Sequence, residues 1–341
     1  MYYVTWDFHV KSPFAGPGLE PWMKLTEPWR MSLLFIISGA ATGHLLKGRD
    51  AMQLFKQRSR QLLLPLLCGV ALIVAPQPYF EVVQKFNYAG SFWDFLGLYF
   101  THFSGFCRDG KCLVLPTWNH LWFLPYLWVY TLMVCALLAV APRVVDLLGR
   151  AILLTLRGPA LLVLPALLLL LIRLALFSRY PSTHALWGDW FNHAVYFGMF
   201  IAGMAFAAQS EMWLRIQKAR WPALIVSVTF WAVLVSLLQT GPFEHAVVAV
   251  FQWSALMAAL GFARQHLNHD RPYRAELTES VFPVYILHQT VLIVASQWLL
   301  PLQWRPVVEG PVLVLVTFAV SYLGYRCIRR NSLLRPWFGM R

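Results

Sequence analysis

The feature that most constrains this chain is a series of long apolar runs, of which "ALLVLPALLLLLIRLALF" (residues 160–177) is the clearest. A helix of about 20 apolar residues is long enough to cross the hydrocarbon core of a bilayer. Of the 341 residues, 59% are hydrophobic and only 13% are charged, whereas about a quarter of the residues in soluble domains are charged. The runs therefore predict an all-α polytopic membrane protein.

Nine apolar segments have the length and composition of membrane spans. Their approximate bounds are residues 29–46, 61–77, 119–141, 158–177, 191–208, 220–239, 246–264, 280–299 and 310–326. A cytoplasmic C-terminus places 19 of the 28 Lys and Arg residues in cytoplasmic segments and 7 outside, with Arg30 and Arg173 inside spans. Because positive residues concentrate on the cytoplasmic side, we predict this orientation in a bacterial-type cytoplasmic (inner) membrane. The same bias explains the net charge of +13 without a nucleic-acid partner.

We expect one membrane domain over residues 1–341, with an extracytoplasmic lead-in at 1–28 and an extracytoplasmic loop at 78–118. Nine spans and a cytoplasmic C-terminus put residue 1 outside, yet residues 1–28 have no basic start followed by an apolar core, as a signal peptide would. Either the N-terminus is external, or a further helix precedes residue 1. In the loop, Cys107 and Cys112 flank an Asp-Gly turn signal; they are a disulfide or two free thiols.

Ionisable residues at membrane depth are costly and therefore mark candidate functional positions. Arg30 opens the first predicted span, followed by small residues at 38–43. The small residues predict close helix packing. Arg30 either snorkels to the outer headgroups or binds a carboxylate or phosphate of a substrate.

Three histidine-bearing stretches lie in or beside the other spans. His120 enters the third span beside Trp122, where it is a satisfied polar residue or part of a site. His193 belongs to a polar stretch with His184 and Asp189, which is a substrate contact or a hydrated loop. His288 lies deepest, in the run "HQT", and either forms an interhelical hydrogen bond or has a functional role.

Two near-matches to known motifs are rejected. The stretch "GFCRDGKC" departs from the phosphate-loop pattern at Cys112, follows no strand and lies on the side without ATP. The pair His266 and Asp270 lies in a short basic loop with no companion domain. No Cys/His spacing typical of a zinc site is present, so we predict no metal and no bound cofactor.

Several stretches, taken in order, resemble the membrane acyltransferase 3 family, in particular its branch related to the succinyltransferases of periplasmic glucans. The resemblance covers essentially the whole chain. It is carried by "TWDFHVKSP", "WRMSLLFIISG", "RSRQLLLPL", "NHLWFL" and "VYILHQT".

The resemblance implies ten spans, of which the first carries an arginine and, after ten residues, the family's expected catalytic histidine. Both would precede Met1, so His9 would be a neighbour of that histidine and only a substitute candidate for the base. The implied reaction moves an acetyl or succinyl group from a cytoplasmic acyl donor, with acyl-CoA as co-substrate, to a hydroxyl of an extracytoplasmic glycan or lipid-linked sugar.

We therefore predict His120 and His9 as catalytic candidates. The substrate-binding candidates are Arg30, Trp122, His193 and His288. Two other classes remain open: a polytopic transporter or flippase, and an inactive, N-terminally truncated member of the family.

Overall fold

A computed structural model describes residues 1–46, 50–108, 110–236 and 241–340. The chain is almost wholly helical, as the apolar runs predict. The helices are α1 Glu20–Leu46, α2 Ala51–Cys68, α3 Pro76–Phe86, α4 Phe92–Phe100, α5 Phe123–Val140, α6 Val144–Thr155, α7 Ala160–Leu176, α8 Trp190–Ala208, α9 Ser210–Ser236, α10 Pro242–His266, α11 Arg274–Leu299 and α12 Pro306–Arg330. The strands β1 (Cys107–Arg108) and β2 (Lys111–Cys112) form one short antiparallel hairpin.

Six helical segments of the described chain are long and apolar enough to cross a membrane, and the number rises to eight if each of two bent pairs is one span. The six are Asn119–Val140, Trp190–Ala208, Ser210–Ser236, Pro242–His266, Arg274–Leu302 and Pro306–Arg330. This architecture is that of an all-α polytopic membrane protein. The predicted span 29–46 lies inside the continuous helix α1 but is not among the eight, so the count of nine stays a prediction.

The two bent pairs contain the predicted spans 61–77 and 158–177. Ala51–Ile73 meets Pro76–Phe86 at 43°, and Val144–Thr155 meets Ala160–Leu176 at 114°. Proline lacks the N–H that a continuing helix needs, which explains a break at Pro76. Each pair is a broken span or a re-entrant loop.

The predicted loop 78–118 contains more helix than expected. Most of α3 lies in it, and α4 begins at a capping box in which Ser91 and Asp94 satisfy each other's backbone N–H groups. A disulfide joins Cys107 to Cys112 across the β-hairpin, one of the two states left open by the sequence. Asp109 of the predicted turn and residues 237–239 of the span 220–239 lie outside the described residues.

The chain divides into two compact units. Unit 1 comprises Met1–Glu20, Ser59–Pro125 and Arg271–Arg341, and unit 2 comprises Pro21–Arg58 and Tyr126–Asp270.

In unit 1, α11 packs along α12 and α3 packs against α11. The lead-in joins the same core, because Tyr2 and Val10 are buried against Ile293 and Leu313. The Tyr2 hydroxyl donates to the buried Glu309 carboxylate at 3.4 Å. Burial, together with Glu309, raises the pKa of Tyr2 to about 12, so the phenol keeps its proton.

In unit 2, α10 packs between α9 and α7, and α8 packs on α6. The small residues near the start of the chain serve close packing, as predicted. A Cβ added at Gly39 would lie 1.9 Å from the Phe200 carbonyl oxygen, and one at Gly203 would lie 2.0 Å from that of Ile36. Helices α1 and α8 therefore approach each other at backbone distance.

Candidate active site

A buried glutamine at the start of α3 organises the polar interior of unit 1. Gln77 has no exposed surface. Its amide nitrogen Nε2 lies 3.1 Å from Nδ1 of His120 and donates to Oγ1 of Thr290 at 2.8 Å. Its Oε1 accepts from the side-chain amides of Asn119 and Gln289, each at 3.2 Å. An amide offers two donor hydrogens and two acceptor lone pairs, so all four are used.

His120 lies in the short 3-10 helix Asn119–Trp122 that leads into α5. Its Nε2 lies 3.1 Å from the Ile286 carbonyl oxygen. Since a carbonyl only accepts, Nε2 carries the proton, and Nδ1 presents its lone pair to the Gln77 amide. The preceding residue, Asn119, has a positive φ of 40°, a conformation that asparagine tolerates better than most residues. The tight turn there holds His120 and Asn119 against Gln77.

An irregular turn beside this cluster supplies further acceptors. Residues Gly69–Ile73 form a π-helix at the end of α2, and such turns are frequent at functional sites. The Ile73 carbonyl accepts from the Thr290 hydroxyl at 2.7 Å, and the Val70 carbonyl accepts from Tyr99 at 2.8 Å. Gln289 and Thr290 of the "HQT" run therefore make interhelical hydrogen bonds, and both alternatives for His288 stay open.

His288 lies next to His120 in the same cluster. The two imidazole rings meet edge to face at a centroid distance of 5.3 Å. Nδ1 of His288 donates to the Tyr285 carbonyl at 2.7 Å. The Tyr285 hydroxyl in turn donates to the His120 carbonyl at 2.6 Å. Unit 1 thus brings the predicted residues His120 and His288 together.

Trp122 closes the same 3-10 helix and is buried, with 8% of its surface exposed. The next residue, Phe123, contacts the Tyr285 ring edge to face at 6.2 Å. The aromatic residues of the motif thus pack inside unit 1.

His9 also belongs to this unit, and it pairs with an acidic residue that the sequence did not single out. Its Nδ1 lies 2.5 Å from Oε2 of Glu81 on α3. Lys85, one turn further along α3, donates to Oε1 of Glu81 at 2.9 Å and to Asp7 at 2.8 Å. Hydrogen bonding to Lys85 holds the pKa of Asp7 below its ordinary value.

The remaining predicted residues, Arg30 and His193, belong to unit 2. Arg30 is exposed on α1. His193 stacks on Tyr126 at 4.6 Å, its Nδ1 lies 3.1 Å from the Tyr130 hydroxyl, and its Nε2 donates to the Leu186 carbonyl at 2.9 Å. Both ring nitrogens of His193 are thus engaged, and its predicted contact with substrate stays a prediction.

Asp189 anchors the polar stretch that precedes α8. Its carboxylate is fully buried and accepts from the Tyr126 hydroxyl at 2.5 Å, from the Asn192 amide at 2.8 Å and from the backbone N–H of His184 at 3.0 Å. This part of unit 2 is therefore an ordered network, where the sequence had left a hydrated loop as one alternative.

Sequence reasoning missed both Gln77 and Glu81: Gln77 is the last residue of the predicted span 61–77, and Glu81 lies in the predicted loop 78–118. The sequence does contain a helical signal after Pro76. Polar residues recur there at intervals of three to four and so lie on one helix face: Gln77, Glu81, and Gln84 or Lys85. Within the described residues, no three His, Cys, Asp or Glu side chains are grouped as a metal site would require.

Comparison with protein families gives the chemical class. The family described as an acyltransferase domain, acyltransferase 3, matches residues 2–326. No curated protein and no solved structure matches the chain. Because the match spans nearly the whole chain and the fold is that of a multi-pass membrane protein, the chain belongs to the acyltransferase 3 family of membrane acyltransferases.

Proposed function

We propose that this protein transfers an acyl group from acyl-CoA, bound from the cytoplasm, to a hydroxyl of an extracytoplasmic glycan or lipid-linked sugar. The observation that carries the proposal is the acyltransferase match over residues 2–326. The buried polar cluster around Gln77 and His120 supports it, because polar groups at membrane depth are costly and usually functional.

The reaction needs two things from the protein. A base takes the proton from the acceptor hydroxyl, and hydrogen-bond donors stabilise the negative oxygen of the tetrahedral intermediate. Histidine suits the base because its unperturbed pKa lies near neutrality. Of the catalytic candidates, His120 keeps its Nδ1 lone pair inside the cluster, where it accepts from Gln77. A substrate hydroxyl that replaces the Gln77 amide would bring its proton to that lone pair.

The substrate-binding candidates supply recognition. We propose that Arg30 binds an anionic group of the substrate, since guanidinium pairs with carboxylate and phosphate through two hydrogen bonds. Trp122 and His193 would contact the sugar, and His288 would face the acyl donor. The resemblance to the periplasmic-glucan branch supports a succinyl group, with acetyl as the equal alternative. The distribution of Lys and Arg supports an inner-membrane location with a cytoplasmic C-terminus.

The test is transfer of label in reconstituted vesicles. The purified 341-residue protein is supplied with acetyl-CoA or succinyl-CoA carrying a radiolabelled acyl group, and with a periplasmic-type glucan. We expect label in the glucan. Alanine at Arg30 or at His120 should reduce transfer, at His120 by about 10²- to 10⁴-fold, the usual contribution of a general base, with the amount of protein in the membrane unchanged.

Two outcomes would contradict the proposal. Full activity in either alanine variant would remove that residue from the site. Label that crosses the vesicle membrane without joining the glucan would favour the competing class, a transporter or flippase.

A further inference from the structure

The segment that follows α12, residues 331–340, folds back onto unit 1; we call it the tail. Phe338 and Met340 of the tail are buried, with 7% and 8% of their surfaces exposed. Between them, Gly339 has a left-handed φ of 71°, and a Cβ added there would lie 2.4 Å from the Phe282 ring of α11. One face of the tail is therefore held tightly against unit 1, and this fixes which side chains the other face presents.

The outward face of the tail carries large apolar side chains. Leu333, Leu334 and Trp337 are 78%, 41% and 45% exposed. Helix α12 is long and apolar enough to cross a membrane and ends at Arg330, so the tail begins at a membrane surface. Exposed apolar and tryptophan side chains in that position are typical of a segment that lies in the membrane interface.

Two arginines beside this apolar face carry positive charge that no acidic residue neutralises. Among the residues that the structure describes, neither Arg330 nor Arg335 forms an ion pair. Nε of Arg335 donates to the Arg329 backbone carbonyl at 2.9 Å, a contact that positions the guanidinium but leaves its charge uncompensated. The tail thus combines apolar side chains with two unpaired arginines.

The other arginines near the end of α12 are already used inside unit 1. Arg326 pairs with Glu276 of α11 at 3.1 Å, and Arg329 pairs with Glu279 at 3.2 Å. These ion pairs join the end of α12 to the start of α11 and compensate both charges. The positive charge that remains for an external anion is therefore that of the two unpaired arginines.

We propose that the tail binds an anionic phospholipid in the leaflet at which α12 ends. Arg330 and Arg335 pair with the lipid phosphate, since guanidinium forms two parallel hydrogen bonds with phosphate oxygens. Leu333 and Trp337 enter the boundary between headgroups and acyl chains. Basic residues next to a membrane helix favour anionic over zwitterionic lipid, because only the anionic lipid has a net charge to neutralise. The tail lies outside residues 2–326, which match the acyltransferase family, and the proposal does not depend on the proposed function.

The test places a reporter on the tail. Ser332 is exposed, so an environment-sensitive fluorophore is attached to Ser332→Cys in a Cys327→Ala background, in which the remaining free cysteines, Cys68 and Cys135, are buried. Phosphatidylglycerol or phosphatidylcholine is then titrated into the protein in a non-ionic detergent. We expect the emission to shift to shorter wavelength, with phosphatidylglycerol effective at a clearly lower concentration than phosphatidylcholine.

Removal of the unpaired arginines should weaken this response. Arg330→Gln or Arg335→Gln alone should raise the phosphatidylglycerol concentration at half-maximal shift about fivefold, the usual contribution of one arginine next to an anionic membrane surface. The double variant should raise it about 30-fold if the two contributions are independent. An unchanged midpoint in the double variant would overturn the proposal.

Arg305→Gln is the matched control. Arg305 is exposed and directly precedes α12, at the opposite end of the same helix, so this variant changes the net charge by the same amount as Arg330→Gln. We expect the response of the fluorophore to phosphatidylglycerol to stay at the level of the unmodified tail. A loss equal to that in Arg330→Gln would mean that only the net charge of the protein matters, which contradicts a site on the tail.

Two further results would contradict the proposal. An equal response to phosphatidylglycerol and phosphatidylcholine would mean that the apolar face binds lipid without recognising charge. The same shift with coenzyme A, at a lower concentration than phosphatidylglycerol, would mean that the arginines bind the phosphate groups of a soluble ligand, such as the acyl donor, and not those of a lipid.

Discussion

The Gln77 amide lies 3.1 Å from Nδ1 of His120, and this contact connects two segments that are 43 residues apart in the chain. The same side chain also binds Asn119, Gln289 and Thr290. A buried network in which each member is satisfied is rigid, but each of its groups becomes costly once a partner is lost. This contact therefore makes Gln77 the residue on which the geometry of the buried cluster depends most.

Gln77→Leu should destabilise the protein and abolish acyl transfer. The change leaves His120, Asn119 and Gln289 without their shared partner, and each buried polar group left unsatisfied costs about 1–3 kcal/mol. We expect a clearly lower Tm in detergent. Gln53→Leu, the same replacement at an exposed position of α2, should leave Tm nearly unchanged. Equal values of Tm for the two variants would show that the hydrogen bonds of Gln77 contribute little to the stability of the folded protein.

The apolar spans are the part of this fold that the sequence predicts well. Residues 191–208 and 246–264 correspond to α8, Trp190–Ala208, and to α10, Pro242–His266, because burial in lipid requires a continuous apolar helix and little else. Length and apolarity are local properties of a segment, so both can be determined from a single sequence.

The site is predicted less completely because its contacts are long-range. The sequence marks His120 and His288 as polar residues in or beside spans, but it gives no such signal for Gln77, the last residue of the predicted span 61–77. Glu81, the partner of His9, is 72 residues away in the chain. The residues around either one do not predict this contact. The bend between Ile73 and Pro76, which brings α3 into unit 1, is a tertiary feature.

Alanine at Gly39 or Gly203 should destabilise unit 2. A Cβ at either position would fall within about 2 Å of a carbonyl oxygen on the facing helix, so α1 and α8 would have to separate. Overpacking of this kind typically costs about 1–3 kcal/mol. Gly198 lies on α8, as Gly203 does, but a Cβ added there would have no atom within 4 Å. Alanine also has a higher helix propensity than glycine, so Gly198→Ala is the control. We expect a lower Tm for the first two variants and an unchanged or higher Tm for Gly198→Ala.

Asp189→Leu should loosen the segment between α7 and α8. It removes the shared acceptor of the Tyr126 hydroxyl, the Asn192 amide and the His184 backbone N–H, again at about 1–3 kcal/mol for each unsatisfied buried group. Limited proteolysis should cut residues 177–189 faster than in wild type. Asp146→Leu, at an exposed acidic residue of α6, is the control. Equal cleavage rates in wild type and Asp189→Leu would contradict the anchoring role.

The disulfide between Cys107 and Cys112 offers a test of the predicted orientation. Disulfides persist in oxidising compartments, so the loop 78–118 should face the outside. Of the free cysteines, Cys68 and Cys135 are buried and Cys327 is exposed, so Cys327→Ala leaves the loop pair as the accessible thiols. A membrane-impermeant maleimide added to intact cells should label this variant only after reduction, while a C-terminal epitope stays inaccessible. Labelling that requires lysis as well as reduction would place the loop in the cytoplasm and reverse the predicted orientation.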